Sequence, residues 1–156
     1  MTKLAVFADV QNIYYTCKES LGGSFNYRKC WQQLTQYGDI THAYAYAIDK
    51  GDDGQIKFQD ALRHIGFEVK LKPFISRADG SAKGDWDVGI TIDMLDLATK
   101  VDEVVLLSGD GDFAILLDKL RSLGVKTRVI SAPNLTATSL IKACDHYQEI
   151  SADLLL

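Results

Sequence analysis

Short apolar runs alternate along this chain with longer segments in which apolar residues recur every three or four positions. Short runs are typical of buried strands, and the longer spacing is typical of helices. The pattern predicts strands at 4–8, 40–48, 67–71, 104–107 and 125–130 and an extended piece at 147–150. It predicts helices at 12–21, 26–37, 55–65, 85–100, 113–123 and 135–144.

The alternation of strand and helix indicates an α/β fold. Such chains build a mainly parallel sheet with helices on both faces and right-handed crossovers. We therefore predict a three-layer α/β/α sandwich with a Rossmann-like sheet. No repeat, low-complexity tract or linker interrupts the sequence, so we expect a single domain over residues 1–156.

Three local features refine this prediction. Asn26 is placed to cap the helix that follows it. The helix 85–100 is apolar on nearly all sides, which predicts that it is buried. Residues 74–83 are predicted to form a loop with a turn at Ala78-Asp79-Gly80.

Composition excludes several classes of protein. A chain of 156 residues with 47% apolar residues is long enough to bury a core, and no apolar run reaches the roughly 20 residues that span a membrane. The first residues show no signal-peptide pattern. The three cysteines are odd in number and lack close ligand spacing, so neither disulfides nor zinc are predicted. We expect a cytoplasmic protein that does not contact membranes.

The net charge of −4 argues at first against a nucleic-acid-binding protein. The charge is unevenly distributed, however. Between positions 70 and 83, one acid, Asp79, accompanies four cations: Lys70, Lys72, Arg77 and Lys83. This stretch could contact phosphates, or it could be an ordinary solvated loop.

Acidic residues follow two of the predicted strands. The run Ser108-Gly109-Asp110-Gly111-Asp112 comes after the fourth strand, and Asp9-Val10-Gln11-Asn12 ends the first. In open α/β sheets ligands bind at the carboxyl ends of strands, beside the point where strand order reverses. The acids can meet there if the first and fourth strands are neighbours. The alternative is that Gly-Asp-Gly-Asp is only a turn.

A third contribution is expected from the start of the helix 85–100. Asp85 and Asp87 fall in its first turn, where the helix dipole favours acids in any case. Asp93 lies further along, in an apolar stretch where an unpaired carboxylate is costly to bury. Six residues place it about 240° around the helix from Asp87. Asp93 could therefore contact a metal, support a ligand or pair with a basic residue.

Several aspartates in one place repel each other, and a divalent cation removes that penalty. Carboxylate oxygens favour Mg²⁺ or Mn²⁺, and no histidine adjoins these acids, which disfavours zinc. Asn12 could orient Asp9 or bind a phosphate, and Ser108 could do the same; the alternative for Asn12 is a helix cap.

Three segments together resemble the NYN domain family, LabA-like branch, within the PIN-like nuclease group. They are 7–12, 83–88 with Asp93, and 107–113, and the resemblance spans about residues 3–150. It implies a PIN-like sheet and metal-dependent cleavage of RNA. It also implies that the metal-binding, catalytic acids are Asp9, Asp87, Asp110 and Asp112, with Asn12 and Ser108 in support. The family often carries an acid at the position of Asp93 and an apolar residue at that of Asp85, so Asp85 or Asp87 remains open as the ligand.

The resulting hypothesis is a Mg²⁺- or Mn²⁺-dependent ribonuclease that hydrolyses single-stranded or structured RNA, with a homodimer left open. An ion would activate water for attack on a phosphodiester. Flanking phosphates would contact Lys72, Arg77 and Lys83. Tyr14 or Phe74 could stack on a base, although either aromatic could equally belong to the core.

Three other functions compete with this hypothesis. A haloacid-dehalogenase-like phosphatase needs a second aspartate two residues after Asp9, where this chain has Gln11. A response-regulator receiver needs an acceptor aspartate after the third strand, where Leu71-Lys72-Pro73 provides none. The third is a catalytically silent RNA- or protein-binding module of the same fold, because fold alone does not establish activity.

Overall fold

The structure, a computed structural model, describes residues 1–73, 75–76, 82–83 and 85–156. Its strands are β1 (Lys3–Asp9), β2 (Asp39–Asp49), β3 (Glu68–Pro73), β4 (Ile75–Ser76), β5 (Ala82–Lys83), β6 (Glu103–Leu107), β7 (Lys126–Ser131) and β8 (His146–Glu149). Its helices are α1 (Val10–Leu21), α2 (Tyr27–Leu34), α3 (Asp53–Ile65), α4 (Asp87–Leu97), α5 (Ala114–Ser122) and α6 (Thr138–Ala143).

Six strands form one sheet in the order β3-β2-β1-β6-β7-β8, and every neighbouring pair is parallel. This is the strand order of a doubly wound, Rossmann-like sheet, with its reversal between β1 and β6. The predicted fold class is confirmed. The first and fourth strands predicted from the sequence correspond to β1 and β6, and the prediction that they are neighbours is also confirmed.

A small antiparallel ribbon, β4 with β5, pairs Ile75 with Lys83 and Ser76 with Ala82. The sequence predicted only a loop there, because two-residue strands are too short to show an apolar alternation. The predicted turn at 78–80 lies outside the described residues.

The layers follow from the alternation of side chains along the strands. In β1, Leu4, Val6 and Ala8 pack into one buried cluster with residues of α1 and α2, including Ile13 and Cys30. The intervening Ala5 and Phe7 belong to a second cluster on the opposite face, with residues of α4, α5 and α6. Helices therefore cover both faces, as predicted, and residues 4–8 of β1 are all apolar because neither face of the strand meets solvent there.

Several boundaries differ from the predicted ones because of local capping. Asn26 does cap α2, accepting from the backbone N–H of Lys29. α3 begins two residues earlier than predicted, since the side chain of Asp52 accepts from the N–H of Gln55. α1 begins at Val10, directly after Asp9, so no residue separates the end of β1 from the helix, whereas the sequence predicted the helix from position 12.

The prediction that the helix 85–100 is buried is wrong for part of its surface. Ile90 and Met94 are fully buried, whereas Val88 and Ile92 are 70% and 54% exposed. An outer helix of a three-layer sandwich buries only the side that faces the sheet, and here its other side is also apolar. Among the described residues no helix, α4 included, is long and apolar enough to span a membrane.

Candidate metal centre

The carboxyl ends of β1 and β6 are joined by side-chain hydrogen bonds. Ala8 is in register with Leu107, which places Asp9 beside Ser108. The hydroxyl of Ser108 donates to Oδ2 of Asp9 at 3.1 Å. The N–H of Gly109 donates to Oδ1 of Asn12 at 3.0 Å. Asn12 is therefore a bridge between α1 and the loop after β6, and it does not cap α1.

The loop after β6 holds its two aspartates in a fixed turn. The N–H of Asp110 donates to the hydroxyl of Ser108 at 3.2 Å. Oδ1 of Asp110 then accepts from the N–H of Asp112 at 2.9 Å, capping a short 3₁₀ helix at Gly111–Phe113. The segment Gly-Asp-Gly-Asp thus forms a turn and also presents two carboxylates. The two interpretations of this segment do not exclude each other.

Both glycines of this loop are required by close packing. A Cβ on Gly109 would lie 2.8 Å from the carbonyl oxygen of Leu135, and one on Gly111 would lie 2.8 Å from Cβ of Ala137. The N–H of Ala137 also donates to the carbonyl of Gly109 at 3.0 Å. The segment before α6 therefore presses on the loop and holds it against the ends of the strands.

Three carboxylates converge at this edge of the sheet. Asp87, Asp110 and Asp112 each offer one oxygen, and these oxygens all lie within 4.8 Å of one another. Asp87 contributes as the first residue of α4. Asp85 is exposed and lies outside the group, although its Oδ1 accepts from the N–H of Asp87 at 3.3 Å. Of the two acids that the sequence left open, the structure brings Asp87 to the others.

Asp9 lies outside this group of three but is electrostatically part of the site. Burial raises its pKa to about 6, with further increases from Asp110 and Asp85, and the hydrogen bond from Ser108 opposes them. Burial also raises the pKa of Asp87 to about 7, together with the charges of Asp110, Asp85 and Asp9. The acids therefore share a surplus of negative charge at neutral pH.

The donor set fits a hard divalent cation. The group contains only carboxylate oxygens, with neither histidine nor cysteine among the three. Mg²⁺ and Mn²⁺ prefer such oxygens, whereas zinc sites usually contain nitrogen or sulfur ligands. Among the described residues no ion pair involves Asp9 or these three acids. A bound cation would supply the missing positive charge.

Asp93 occupies a separate site on the same helix. Its Oδ2 lies 2.7 Å from Nζ of Lys70 and accepts from the hydroxyl of Tyr46 at 2.8 Å. The ammonium of Lys70 also lies 4.6 Å from the ring centre of Tyr44. Of the roles left open for Asp93, pairing with a basic residue is the one that the structure shows.

Trp86 holds the start of α4 in place, and the sequence analysis missed it. Its Nε1 donates to the carbonyl of Ala47 at 2.9 Å, and its ring lies 5.3 Å from that of Tyr46. Lys72 lies 4.6 Å from the centre of the Trp86 ring and donates to the carbonyl of Asp85 at 2.9 Å. The available signal was a large aromatic directly before Asp87.

The residues predicted to contact nucleic acid differ in how far the structure describes their positions. Lys72 already interacts with the segment 85–86, at the rim of the acidic site. Lys83 belongs to β5. Arg77 and Phe74 lie outside the described residues. Tyr14 is 46% exposed on α1, so it is not a core residue.

Comparisons with known proteins show the family of this chain and relatives of the same fold. Residues 3–151 match the NYN domain. LabA, the "low amplitude and bright protein" of Synechococcus elongatus, is 31% identical over 158 residues, which cover 96% of this chain and 84% of LabA. The crystal structure of a Vibrio parahaemolyticus protein of unknown function is 47% identical, with a TM-score of 0.94 over 99% of this chain and 96% of that one. A carbohydrate kinase from Agrobacterium tumefaciens, 14% identical with a TM-score of 0.53 over 94% of this chain and 60% of the kinase, shares the fold alone.

Proposed function

This chain belongs to the NYN domain family, which is nuclease-like, and we propose that it is a metal-dependent ribonuclease that hydrolyses RNA phosphodiester bonds. The observation that carries the proposal is the convergence of Asp87, Asp110 and Asp112 within 4.8 Å. A scaffold gains no stability from acids that repel each other, so a site of this kind is explained by the cation it binds.

In this proposal Asp87, Asp110 and Asp112 hold Mg²⁺ or Mn²⁺, and Asp9 adds its charge from the base of the site. When bound, such an ion offsets the charge of the acids and of the substrate phosphate and lowers the pKa of a coordinated water. Ser108 orients the Asp9 carboxylate through the 3.1 Å hydrogen bond. Asn12 keeps the loop that carries Asp110 against α1.

Residues outside the acidic group have supporting roles. We assign Asp93 a positioning role, because its carboxylate binds Lys70 and Tyr46 and so ties α4 to β2 and β3. Lys72 supports the same helix through the carbonyl of Asp85. Lys83 and Arg77 remain predicted phosphate contacts, which would reduce the repulsion between RNA and the aspartates.

The decisive experiment incubates the purified protein with labelled single-stranded RNA and DNA in Mg²⁺, Mn²⁺ or EDTA. We expect cleavage of RNA in the presence of metal and none in EDTA. The monoester p-nitrophenyl phosphate serves as a second substrate, and we expect no turnover, since this chain has Gln11 where a phosphatase of the haloacid-dehalogenase type needs an aspartate. If the protein binds RNA but does not cleave it under any metal condition, the ribonuclease proposal is wrong and the protein is an RNA-binding module.

A further inference from the structure

A second site adjoins the acidic centre on the other side of the start of α1. It is a cavity of about 670 Å³ at the carboxyl ends of β1 and β2, lined in part by Val10 and Gln11 of α1 and by Ala47 and Ile48 of β2. Val10 and Gln11 directly follow Asp9, so the cavity and the acids share one stretch of chain. Its volume lies within the range of ordinary ligand sites.

Aromatic side chains dominate the wall of this cavity: Tyr14, Tyr15, Phe25, Tyr27 and Phe58. Tyr14 and Tyr15 are 46% and 52% exposed, and their rings meet edge to face at 5.3 Å. Aromatic rings left partly open to solvent in a concave site are typical of binding surfaces for flat or apolar ligands.

Tyr27 adds a polar group to this wall. The residue is only 6% exposed, and no hydrogen bond joins its hydroxyl to another described residue. Among the described residues the buried side-chain atom without a partner is Nε2 of Gln59 and not the Tyr27 hydroxyl, so that hydroxyl keeps contact with solvent. It can therefore donate to, or accept from, the polar edge of a ligand.

Cationic side chains also line the cavity. Lys18 donates to the hydroxyl of Tyr14 at 2.9 Å and lies 5.0 Å from the centre of its ring. Lys50, Asp52 and Leu156 line the cavity as well. The ammonium of Lys18 beside the exposed ring of Tyr14 favours a ligand that carries negative charge next to its planar part.

We propose that this cavity binds a nucleobase of the single-stranded RNA substrate, adjacent to the phosphodiester at the acids. The proposal rests on the proposed function. The base stacks on Tyr14 and Tyr15, its polar edge meets Tyr27, and Lys18 approaches the backbone phosphate. Tyr14 lies five positions after Asp9 along the helix, a rise of about 7.5 Å, so the stacked base belongs to a nucleotide near the cleaved bond. Stacking accepts every base, so the site selects unpaired strands and not a sequence.

The test compares two probes by fluorescence anisotropy in EDTA, where no cleavage occurs. One probe is a labelled oligoadenylate, and the other is an abasic ribose-phosphate oligomer of the same length. We expect the wild type to bind the oligoadenylate roughly tenfold more tightly. The double variant Tyr14→Ala/Tyr15→Ala should lose that preference and bind both probes like the wild type binds the abasic one.

Two further variants separate stacking from folding. Tyr14→Phe/Tyr15→Phe keeps both rings and should retain the preference for the oligoadenylate. Tyr37→Ala is the matched control, because Tyr37 is also 52% exposed but packs beneath Arg128, outside the cavity. It should bind both probes like the wild type.

Equal affinity of the wild type for the two probes, or no binding of either, would overturn the nucleobase site. Loss of preference in Tyr37→Ala as well as in the alanine double variant would also overturn it. These outcomes are distinguishable from failure of the ribonuclease proposal. If the protein cleaves RNA but binds both probes equally, only the nucleobase site in the cavity is refuted. If it prefers the oligoadenylate but does not cleave RNA, only the ribonuclease proposal is refuted.

Discussion

The start and the middle of α4 each carry a half-buried aspartate, but the two acids have opposite surroundings. Asp93 in the middle has a lysine ammonium at 2.7 Å and a tyrosine hydroxyl at 2.8 Å. Asp87 at the start meets three other aspartates, and burial with their charge raises its pKa to about 7. The fold therefore neutralises one carboxylate of this helix internally, whereas no cationic side chain among the described residues pairs with the other.

Under the proposed function, this difference separates an acid with a structural role, Asp93, from an acid of the metal site, Asp87. A partly buried carboxylate needs a partner, and for Asp93 the neighbouring strand β3 supplies Lys70. For Asp87 the neighbours are themselves acidic, and among the described residues no cation pairs with it. The sequence places both acids in one apolar helix, and only their partners in space tell them apart.

The largest expected effect concerns cleavage of RNA. Asp87→Asn should reduce metal-dependent cleavage on the order of 100-fold or more, because it removes one carboxylate of the converging group. Asp93→Asn should reduce it only about tenfold, at the lower end of the effect of residues that support metal ligands, since it acts only through the position of α4. Initial rates on labelled single-stranded RNA at saturating Mn²⁺ measure both effects.

Asp96→Asn is the matched control for this comparison, because Asp96 is an exposed aspartate on the same helix. It should cleave like the wild type. Should Asp93→Asn prove as inactive as Asp87→Asn while keeping its fold, the distinction between the two acids would be wrong and Asp93 would join the catalytic group.

A smaller effect is expected on thermal stability in the presence of metal. A cation at 100 times its Kd stabilises the folded state by about 2.7 kcal/mol, or roughly 5–10 °C in Tm for a chain of this size. Wild type and Asp96→Asn should show this increase with Mn²⁺. Asp110→Asn should not, and its metal-free form should melt at or above the wild-type temperature because repulsion is relieved. Differential scanning fluorimetry with and without EDTA provides the readout, and an unchanged wild-type Tm at millimolar Mn²⁺ argues against the site.

Most of the fold could be predicted because the first five strands of the sheet in chain order each contain an apolar run and are followed by a helix, whereas the edge strand β8 is polar and was predicted only as an extended piece. The position of Asp9 beside the loop that carries Asp110 followed from the same pattern, since β1 and β6 flank the reversal of strand order. What could not be predicted was the exposed side of α4, because an apolar helix surface does not reveal whether anything covers it.

The sequence predicted the part of the site that lies at the ends of β1 and β6, but left open which acid at the start of α4 contributes to it. Nothing in the sequence distinguishes Asp87 from Asp85, since both were predicted to lie in the first turn of the helix, whereas α4 begins at Asp87. The structure separates them through Trp86, whose hydrogen bond to Ala47 fixes the rotation of the helix start. The pairing of Asp93 with Lys70 was equally hidden, because it joins α4 to β3 across 23 residues of chain.

The smallest expected effect is the pH dependence of stability without metal. Burial and neighbouring acids raise the pKa of Asp9 to about 6 and that of Asp87 to about 7, against about 3.9 for an unfolded aspartate. Between these values the folded protein binds more protons than the unfolded one, so the free energy of unfolding decreases as pH rises from about 4 to about 7.

In EDTA the wild type should therefore lose a few degrees of Tm, roughly 2–5 °C, between pH 5 and pH 7.5. Asp87→Asn should lose less, because its amide does not titrate, and Asp96→Asn should lose as much as the wild type. Saturating Mn²⁺ should remove the decrease, since the cation replaces the protons on the same carboxylates. A wild-type Tm that instead rises steadily with pH in EDTA would mean that Asp9 and Asp87 are already neutralised within the fold, as Asp93 is, and that the start of α4 does not depend on an external cation.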